Sequence, residues 1–329
     1  MAGRLPEVRL GASGLPVTAV GLGLAALGRP AYITADRDRD FGTERDAASM
    51  ERRTHSVLDA AYDLGIRYVD AARSYGRAEE FLASWLRTRR LGPGDITVGS
   101  KWGYRYVGDW RMDAPVHEVK DHSIATFLEQ RRQSSDILGA HLRLYQVHSA
   151  TIASGVLGDE RLLGALAETA ESGVAIGLTT SGPAQSDVVR RALEVDVDGV
   201  NPFTCVQATW NVLEPSAGLA LSEAHDAGWG VLVKEVFANG RLTRPADAPA
   251  ALNEMAGAQE VPPGDVALAA ALAQPWADVV LTGAVTKDQV GADVDALSLT
   301  LSDAELVCLA TLAEPADRYW SARSSLPWR

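Results

Sequence analysis

Eight short apolar runs, each followed by a longer amphipathic stretch, set the strongest constraint on how this chain folds. The runs are Ala19–Leu24, Arg67–Ala71, Thr97–Trp102, Leu144–His148, Ala175–Thr180, Cys205–Trp210, Gly230–Val236 and Val279–Gly283. Helical periodicity marks Glu51–Leu64, Glu79–Arg89, Ser123–Leu138, Asp159–Glu171, Gln185–Glu194, Ala217–Ala227, Asp265–Ala273 and Lys287–Leu297. In the first of these, Val57, Leu58, Ala61 and Leu64 fall on one helical face. Gly65, Gly173 and Gly228 stand where a helix commonly ends in a left-handed residue. Strand then helix, repeated around the chain, predicts an α/β fold of the (β/α)8 TIM barrel class. A doubly wound sheet with a second domain would need a Gly-x-Gly-x-x-Gly turn after an early strand. Gly21-Leu22-Gly23 starts such a turn, but the third glycine is missing.

No Pro/Ser-rich linker divides the chain, so residues 1–329 are expected to form one barrel domain with additions. Val8–Val17, with Gly11 and Gly14 between β-like ends, predicts an N-terminal β-hairpin. Ser302–Leu312 predicts an extra C-terminal helix, with Ser302 and Glu305 spaced as a capping box. The tail, residues 314–329, carries Tyr319, Trp320 and Trp328 and is expected to pack over the barrel mouth. The long segments 28–49, 103–122 and 239–263 each follow a strand, which puts them on the C-terminal face where barrel enzymes keep their sites.

Charge narrows the partners. The chain has 31 Lys and Arg against 43 Asp and Glu, a net −12. A protein that neutralises nucleic-acid phosphates normally carries the opposite balance, so neither nucleic acid nor an anionic membrane is expected as a partner. Cys205 and Cys308 are far apart and fit no metal-ligand spacing. No metal is expected, and the thiols suggest a reducing, cytoplasmic setting. There is neither a signal-peptide pattern at the N-terminus nor an apolar run long enough for a transmembrane helix. A monomer or weak homo-oligomer acting on a small molecule is the expected state.

Three strand ends carry chemistry. The second continues Asp70-Ala71-Ala72-Arg73-Ser74-Tyr75-Gly76, the third ends Ser100-Lys101-Trp102, and the fourth ends Leu144-Tyr145-Gln146-Val147-His148. Strand order brings a carboxylate, a phenol, an ammonium and an imidazole to one end of neighbouring strands. A phenol with its ordinary pKa near 10 is a poor acid at neutral pH unless a cation stabilises the phenolate. Lys101 is expected to supply that cation and Asp70 to hold it, while His148 orients a carbonyl oxygen. Taken singly, Asp70 with Lys101 is equally a structural ion pair, Tyr75 a packed aromatic and His148 a core histidine.

These residues resemble those of the aldo-keto reductase superfamily, whose barrels carry Asp, Tyr, Lys and His within D-x-A-x-x-Y-G, a strand-ending Lys and L-Y-x-x-H. Asp70, Tyr75, Lys101 and His148 match in order. The resemblance implies a nicotinamide-dependent oxidoreductase that interconverts an aldehyde or ketone and its alcohol, with Tyr75 as proton donor. It also implies cofactor contacts from Thr179, Thr180 and Ser181, where the family has Ser and Asn, and from Gln207. Lys234 and Glu235 follow on the seventh strand, Glu235 in the place of the family's stacking Tyr. Asn239, Gly240 and Arg241 match its pyrophosphate-covering loop. Gly283 opens its phosphate-binding turn, with Lys287, Gln289 and Asp293 beyond it.

Lys287 is expected to meet a 2′-phosphate, which predicts NADP(H) over NAD(H). Trp102, Tyr104, Trp110 and Trp210 are expected to wall an apolar, aromatic or sugar-faced carbonyl substrate. Two other functions remain open at this stage: a cofactor-binding sensor with little turnover, and a non-redox lyase or isomerase using Tyr75 and His148, with Lys234 as a candidate amine.

Overall fold

The computed structural model describes residues 5–34 and 38–328. Strands β1 (Glu7–Leu10) and β2 (Leu15–Thr18) form the antiparallel N-terminal hairpin. The barrel opens with β3 (Val20–Gly23), β4 (Tyr68–Asp70) and β5 (Thr97–Trp102). A second hairpin, β6 (Tyr104–Tyr106) with β7 (Glu118–Lys120), rises from the loop after β5. The barrel continues through β8 (Leu142–Ala150), β9 (Ala175–Thr180), β10 (Phe203–Thr209), β11 (Gly230–Lys234) and β12 (Val279–Thr282). All the barrel pairings are parallel, and β12 closes on β3 through Val280 beside Val20.

The helices are α1 (Asp38–Phe41), α2 (Ala47–Asp63), α3 (Ala78–Arg89), α4 (Ile124–Leu138), α5 (Glu160–Glu171) and α6 (Gln185–Leu193). They continue as α7 (Gly218–Asp226), α8 (Ala250–Ala258), α9 (Pro263–Leu272), α10 (Lys287–Asp295), α11 (Asp303–Ala310) and α12 (Ala316–Ser324). Each apolar run expected to be a barrel strand is one. Helix α2 begins ahead of its expected start because Asp46 caps it, its carboxylate accepting from the Ala48 and Ser49 amides at 3.1 and 3.0 Å. Ser302 and Glu305 form their reciprocal capping box on α11. Gly65, Gly173 and Gly228 all have positive φ, 100°, 91° and 86°.

The interior divides into layers. Between strands and helices lies the main apolar core, with Leu58, Phe81, Trp85, Leu162 and Val189 among its buried members. Inside the barrel, Leu10, Leu15 and Val17 of the hairpin pack on Tyr68, Leu144, Leu232 and Val279 and plug the N-terminal end. The plug demands a glycine opposite: a Cβ on Gly230 would lie 2.5 Å from Leu10. With one end filled by side chains, a ligand is left the other end. A third cluster joins Tyr319 and Trp320 of α12 to Leu213, Leu242, Leu252 and Val266. The tail is therefore anchored to the barrel wall. Among the described residues no helix is long and apolar enough to cross a membrane, and no cluster of side chains could hold a metal ion.

Candidate active site

Asp70 is the hub of the open end. Its carboxylate is buried and accepts from Lys101 Nζ, Tyr68 Oη, Gln146 Nε2 and Gln207 Nε2, the last three at 3.2 Å each. Charge-assisted bonds of this kind are short and strong, and several donors share the cost of burying one anion. Lys101 alternates inward on β5, where its Nζ also donates to the Ala71 carbonyl at 3.0 Å and to Tyr75 Oη at 3.3 Å. Burial lowers the Lys101 pKa and Asp70 works against that fall.

Tyr75 rides on the turn after β4. That turn is braced by close backbone approach: a Cβ on Gly28 would fall 2.2 Å from the Tyr75 carbonyl, and one on Gly76 2.5 Å from the Gly28 carbonyl. Only residues without a side chain let the two loops meet there. Burial, then Asp70, holds the Tyr75 hydroxyl protonated well above the usual tyrosine range, with Arg29 opposing. Lys101, expected to favour the phenolate, is paired with Asp70, whose charge acts the other way on Tyr75. His148 stands edge-on to Tyr75 with ring centres 5.5 Å apart, and its Nδ1 is 3.4 Å from the Ser74 hydroxyl. Burial and then Lys101 push its pKa well below the ordinary value, so the imidazole is neutral.

Tyr75, His148, Asp70 and Gln207 border a cavity of about 650 Å³ that runs to Gly283 and Asp293 at the start of α10. Such a volume lies within the range of cofactor and substrate clefts. Two buried acceptors on its lining have no partner among the described residues, Asn239 Oδ1 and Asp293 Oδ2. Glu235, Ala238 and Asn239 have φ of 57°, 47° and 56°, a backbone strained for residues with side chains and concentrated at the mouth.

The aldo/keto reductase family model matches residues 20–313, nearly the whole barrel. The chain belongs to the aldo/keto reductase family. Members of this family are oxidoreductases that work between carbonyl compounds and alcohols with a nicotinamide cofactor. A relative named "Uncharacterized oxidoreductase YqkF", from Bacillus subtilis (strain 168), is 31% identical over 153 residues. That stretch covers 45% of this chain and 40% of the relative, so the match spans less than half of either protein. Among solved structures, aldo-keto reductase AKR11C1 from Bacillus halodurans superposes with a TM-score of 0.71 at 24% identity, covering 95% of this chain and 98% of that one. Glycerol dehydrogenase AKR11B4 from Gluconobacter oxydans gives 0.68 at 22% identity, covering 93% and 94%. These two likenesses speak to the fold.

The remaining residues expected from the aldo/keto reductase pattern divide by direction. Ser181, Gln207, Lys234, Glu235, Asn239, Gly240, Gly283, Gln289 and Asp293 line the cavity, as does Tyr104. Thr179 and Thr180 do not: Thr179 Oγ1 accepts from the Ser149 amide at 2.7 Å, and Thr180 bonds Gln185 at 3.4 Å. Arg241 turns away to pair with Glu314 at the root of the tail. Lys287 is exposed in the first turn of α10 and is not part of the lining.

Three tryptophans are corrected for steric reasons. Trp102 neighbours Lys101 on a strand, so it faces the helices, 4.9 Å from Phe127 between ring centres. Trp210 is buried against Trp276. Trp110 packs on Phe81 and donates Nε1 to the Arg45 carbonyl at 2.8 Å.

The pattern missed the residues that build the outer wall. Arg29 is buried and places its guanidinium 5.2 Å from the Tyr75 ring centre and 4.8 Å from that of Trp328. It also donates to Glu118 Oε1 at 2.7 Å. Arg323 of α12 holds Glu235 through Nε bonds of 3.0 and 2.9 Å and a further Nη2 bond. Burial would raise the Glu235 pKa, but Arg323 and then Lys234 bring it down to about 2. Burial lowers Lys234 to about 8, with Glu235 opposing. Trp328 stacks on His117 at 4.5 Å and bridges back to Ile33. A lone arginine in a loop or a tail carries no periodic signal, so only folding brings these groups together.

Proposed function

We propose that this aldo/keto reductase interconverts a small aldehyde or ketone and its alcohol, with Tyr75 as the proton donor in the direction of reduction. The observation that carries this reading is the 3.3 Å approach of Lys101 Nζ to Tyr75 Oη. Lysine has donors only, so the phenol oxygen accepts from Lys101 and keeps its own proton for an acceptor in the cavity. A phenol held above its usual range still transfers a proton downhill to an alkoxide forming beside it. Neutral His148 is suited to hold the carbonyl oxygen, since Ser74 engages Nδ1 and leaves Nε2. In the reverse direction Lys101 and Arg29 stabilise the phenolate that accepts the alcohol's proton.

The unpaired acceptors of Asn239 and Asp293 fit a polar dinucleotide along the cavity, with Ser181, Gln207, Gly240 and Gly283 beside it. When bound, a nicotinamide cofactor supplies or accepts the hydride. Tyr32, Tyr104 and Trp328 give the substrate end an aromatic wall that suits an apolar or sugar-faced carbonyl compound. An NADP(H) preference receives no cation from Lys287, which stands outside the lining. Two distant unpaired thiols, Cys205 and Cys308, support a cytoplasmic setting.

The test is to titrate the purified protein with NADH and NADPH and then offer it a panel of aldehydes, ketones and sugars. Reduced-cofactor oxidation that depends on a carbonyl compound is expected. Tight dinucleotide binding with no turnover across the panel, in either direction, would contradict the reading and favour a sensor.

A further inference from the structure

Lys234 is a buried amine that the proton transfer does not use. It ends β11 and lines the same cavity as Tyr75 and His148, with its side chain 17% exposed. Its Nζ donates to Thr209 Oγ1 at 2.7 Å. The nearest carboxylate oxygen, of Glu235, stands 3.9 Å away, and Glu235 accepts its hydrogen bonds from Arg323 of α12. The charged groups around the amine are Glu235 beside it in the chain, Arg323 on α12, Lys101 on β5 and Asp70 on β4. His148 on β8 feels its charge in turn. Burial lowers the Lys234 pKa to about 8, with Glu235 opposing and Arg323 and Lys101 adding to the fall.

The chain has four lysines, and the other three are differently placed. Lys101 gives its hydrogens to Asp70, Ala71 and Tyr75. Lys120 donates to the Ser149 carbonyl at 2.8 Å outside the cavity lining, and Lys287 faces solvent. A lysine amine attacks a carbonyl carbon in its neutral form, and desolvation or a neighbouring cation favours that form. At about pH 7.5 an ordinary lysine, with a pKa near 10.4, is about 0.1% neutral. An amine at about 8 is about a quarter neutral.

We infer that Lys234 is a covalent site for small aldehydes, its amine condensing with an aldehyde in the cavity to form an imine. The bond from Nζ to the carbonyl carbon forms and the carbon–oxygen bond breaks. The oxygen leaves as water with both hydrogens of the neutral amine, so neither oxidant nor reductant takes part. A ketone's second substituent crowds the carbonyl carbon and lowers its reactivity, so aldehydes are the class this site takes. The inference rests on the oxidoreductase reading only for the entry of carbonyl compounds into this cavity.

The test uses the full-length protein without nicotinamide cofactor. Propanal and sodium cyanoborohydride are added at about pH 7.5, and the reduced, stable adducts are located by peptide mass mapping. Lys234 is expected to be labelled at least about tenfold faster than Lys287, although Lys287 is the more exposed. Lys234→Arg keeps the cation and should lose that adduct, while labelling of Lys287 stays within about twofold. Labelling of Lys234 no faster than that of Lys287 would overturn the inference and leave the oxidoreductase reading standing, because no cofactor takes part. A Lys234 adduct without any carbonyl-dependent oxidation of NADH or NADPH would sustain the inference and overturn that reading.

Discussion

Two ion pairs border the same cavity. At the floor, Asp70 and Lys101 sit on the neighbouring strands β4 and β5, with side chains 3% and 1% exposed. In the wall, Glu235 from the loop after β11 meets Arg323 from the tail helix α12, where Arg323 is 24% exposed. The floor pair touches Tyr75 directly. The wall pair is bordered by Lys234, Trp320 and Tyr319, and the helix that supplies Arg323 lies beyond the segment matched by the family model. The difference separates two tasks. Chemistry depends on groups whose spacing the sheet enforces, and the shape of the mouth depends on groups that a loop and the tail bring together.

Breaking the floor should have the largest effect. Lys101→Met leaves Asp70 buried without its cation, which costs about 3–5 kcal/mol in the unfolding free energy. The same change removes the donor to Tyr75, and kcat should fall about 10²–10⁴-fold. Chemical denaturation and steady-state kinetics read the two losses separately. In the wall, Arg323→Ala should raise KM about tenfold and leave kcat within about threefold. Its stability cost, about 1–3 kcal/mol, is smaller because water reaches that arginine. An equal fall of kcat in both variants would erase the distinction between floor and wall.

The carboxyl of Asp293 offers a third case, a buried acid with no cation. Its pKa is raised to about 7 in the folded protein, so folding favours the protonated form. The stability this contributes is full below the ordinary carboxyl range and is lost as pH rises through about 7. Asp293→Asn should therefore stabilise the protein by about 1–3 kcal/mol at pH 8 and by nearly nothing at pH 4, as melting curves at both pH values would show. The smallest effect belongs to Trp210→Phe. That ring packs on Trp276 away from the cavity, so kcat and KM should stay within about twofold. A larger change in KM would return Trp210 to the substrate wall.

The floor was legible in the sequence because periodicity and spacing report it. Asp70, Lys101 and His148 close apolar strand runs, and strand ends of a barrel share one face. The same logic located the hairpin plug and the capped helix α11. It failed where direction along a strand decides, as with Trp102 beside Lys101 and Thr179 beside Thr180. The family resemblance marked Thr179 and Thr180 as mouth residues, and its place beside Lys101 marked Trp102, but the pleat sends one of each pair outward, and Thr179, which turns inward, spends its hydroxyl on the Ser149 amide. It failed again for Arg29 and Arg323, whose partners Glu118 and Glu235 lie on other loops. Trp320 was expected at the mouth, yet it is buried with α8 and α9, and Trp328 is the tryptophan that reaches the cavity. The hairpin β6–β7 and helices α8 and α12 also lay inside segments that look like plain loops or tail.

The central claim is that Tyr75 delivers the proton while the rest of the floor only prepares it. Tyr75→Phe keeps the ring, which packs edge-on to His148, and removes only the hydroxyl. Measured on an accepted carbonyl substrate, kcat should fall by about a hundredfold or more while the dissociation constant of the reduced cofactor stays within about twofold. Turnover within about tenfold of the unmutated protein would contradict the account, because the proton would then come from a group other than Tyr75.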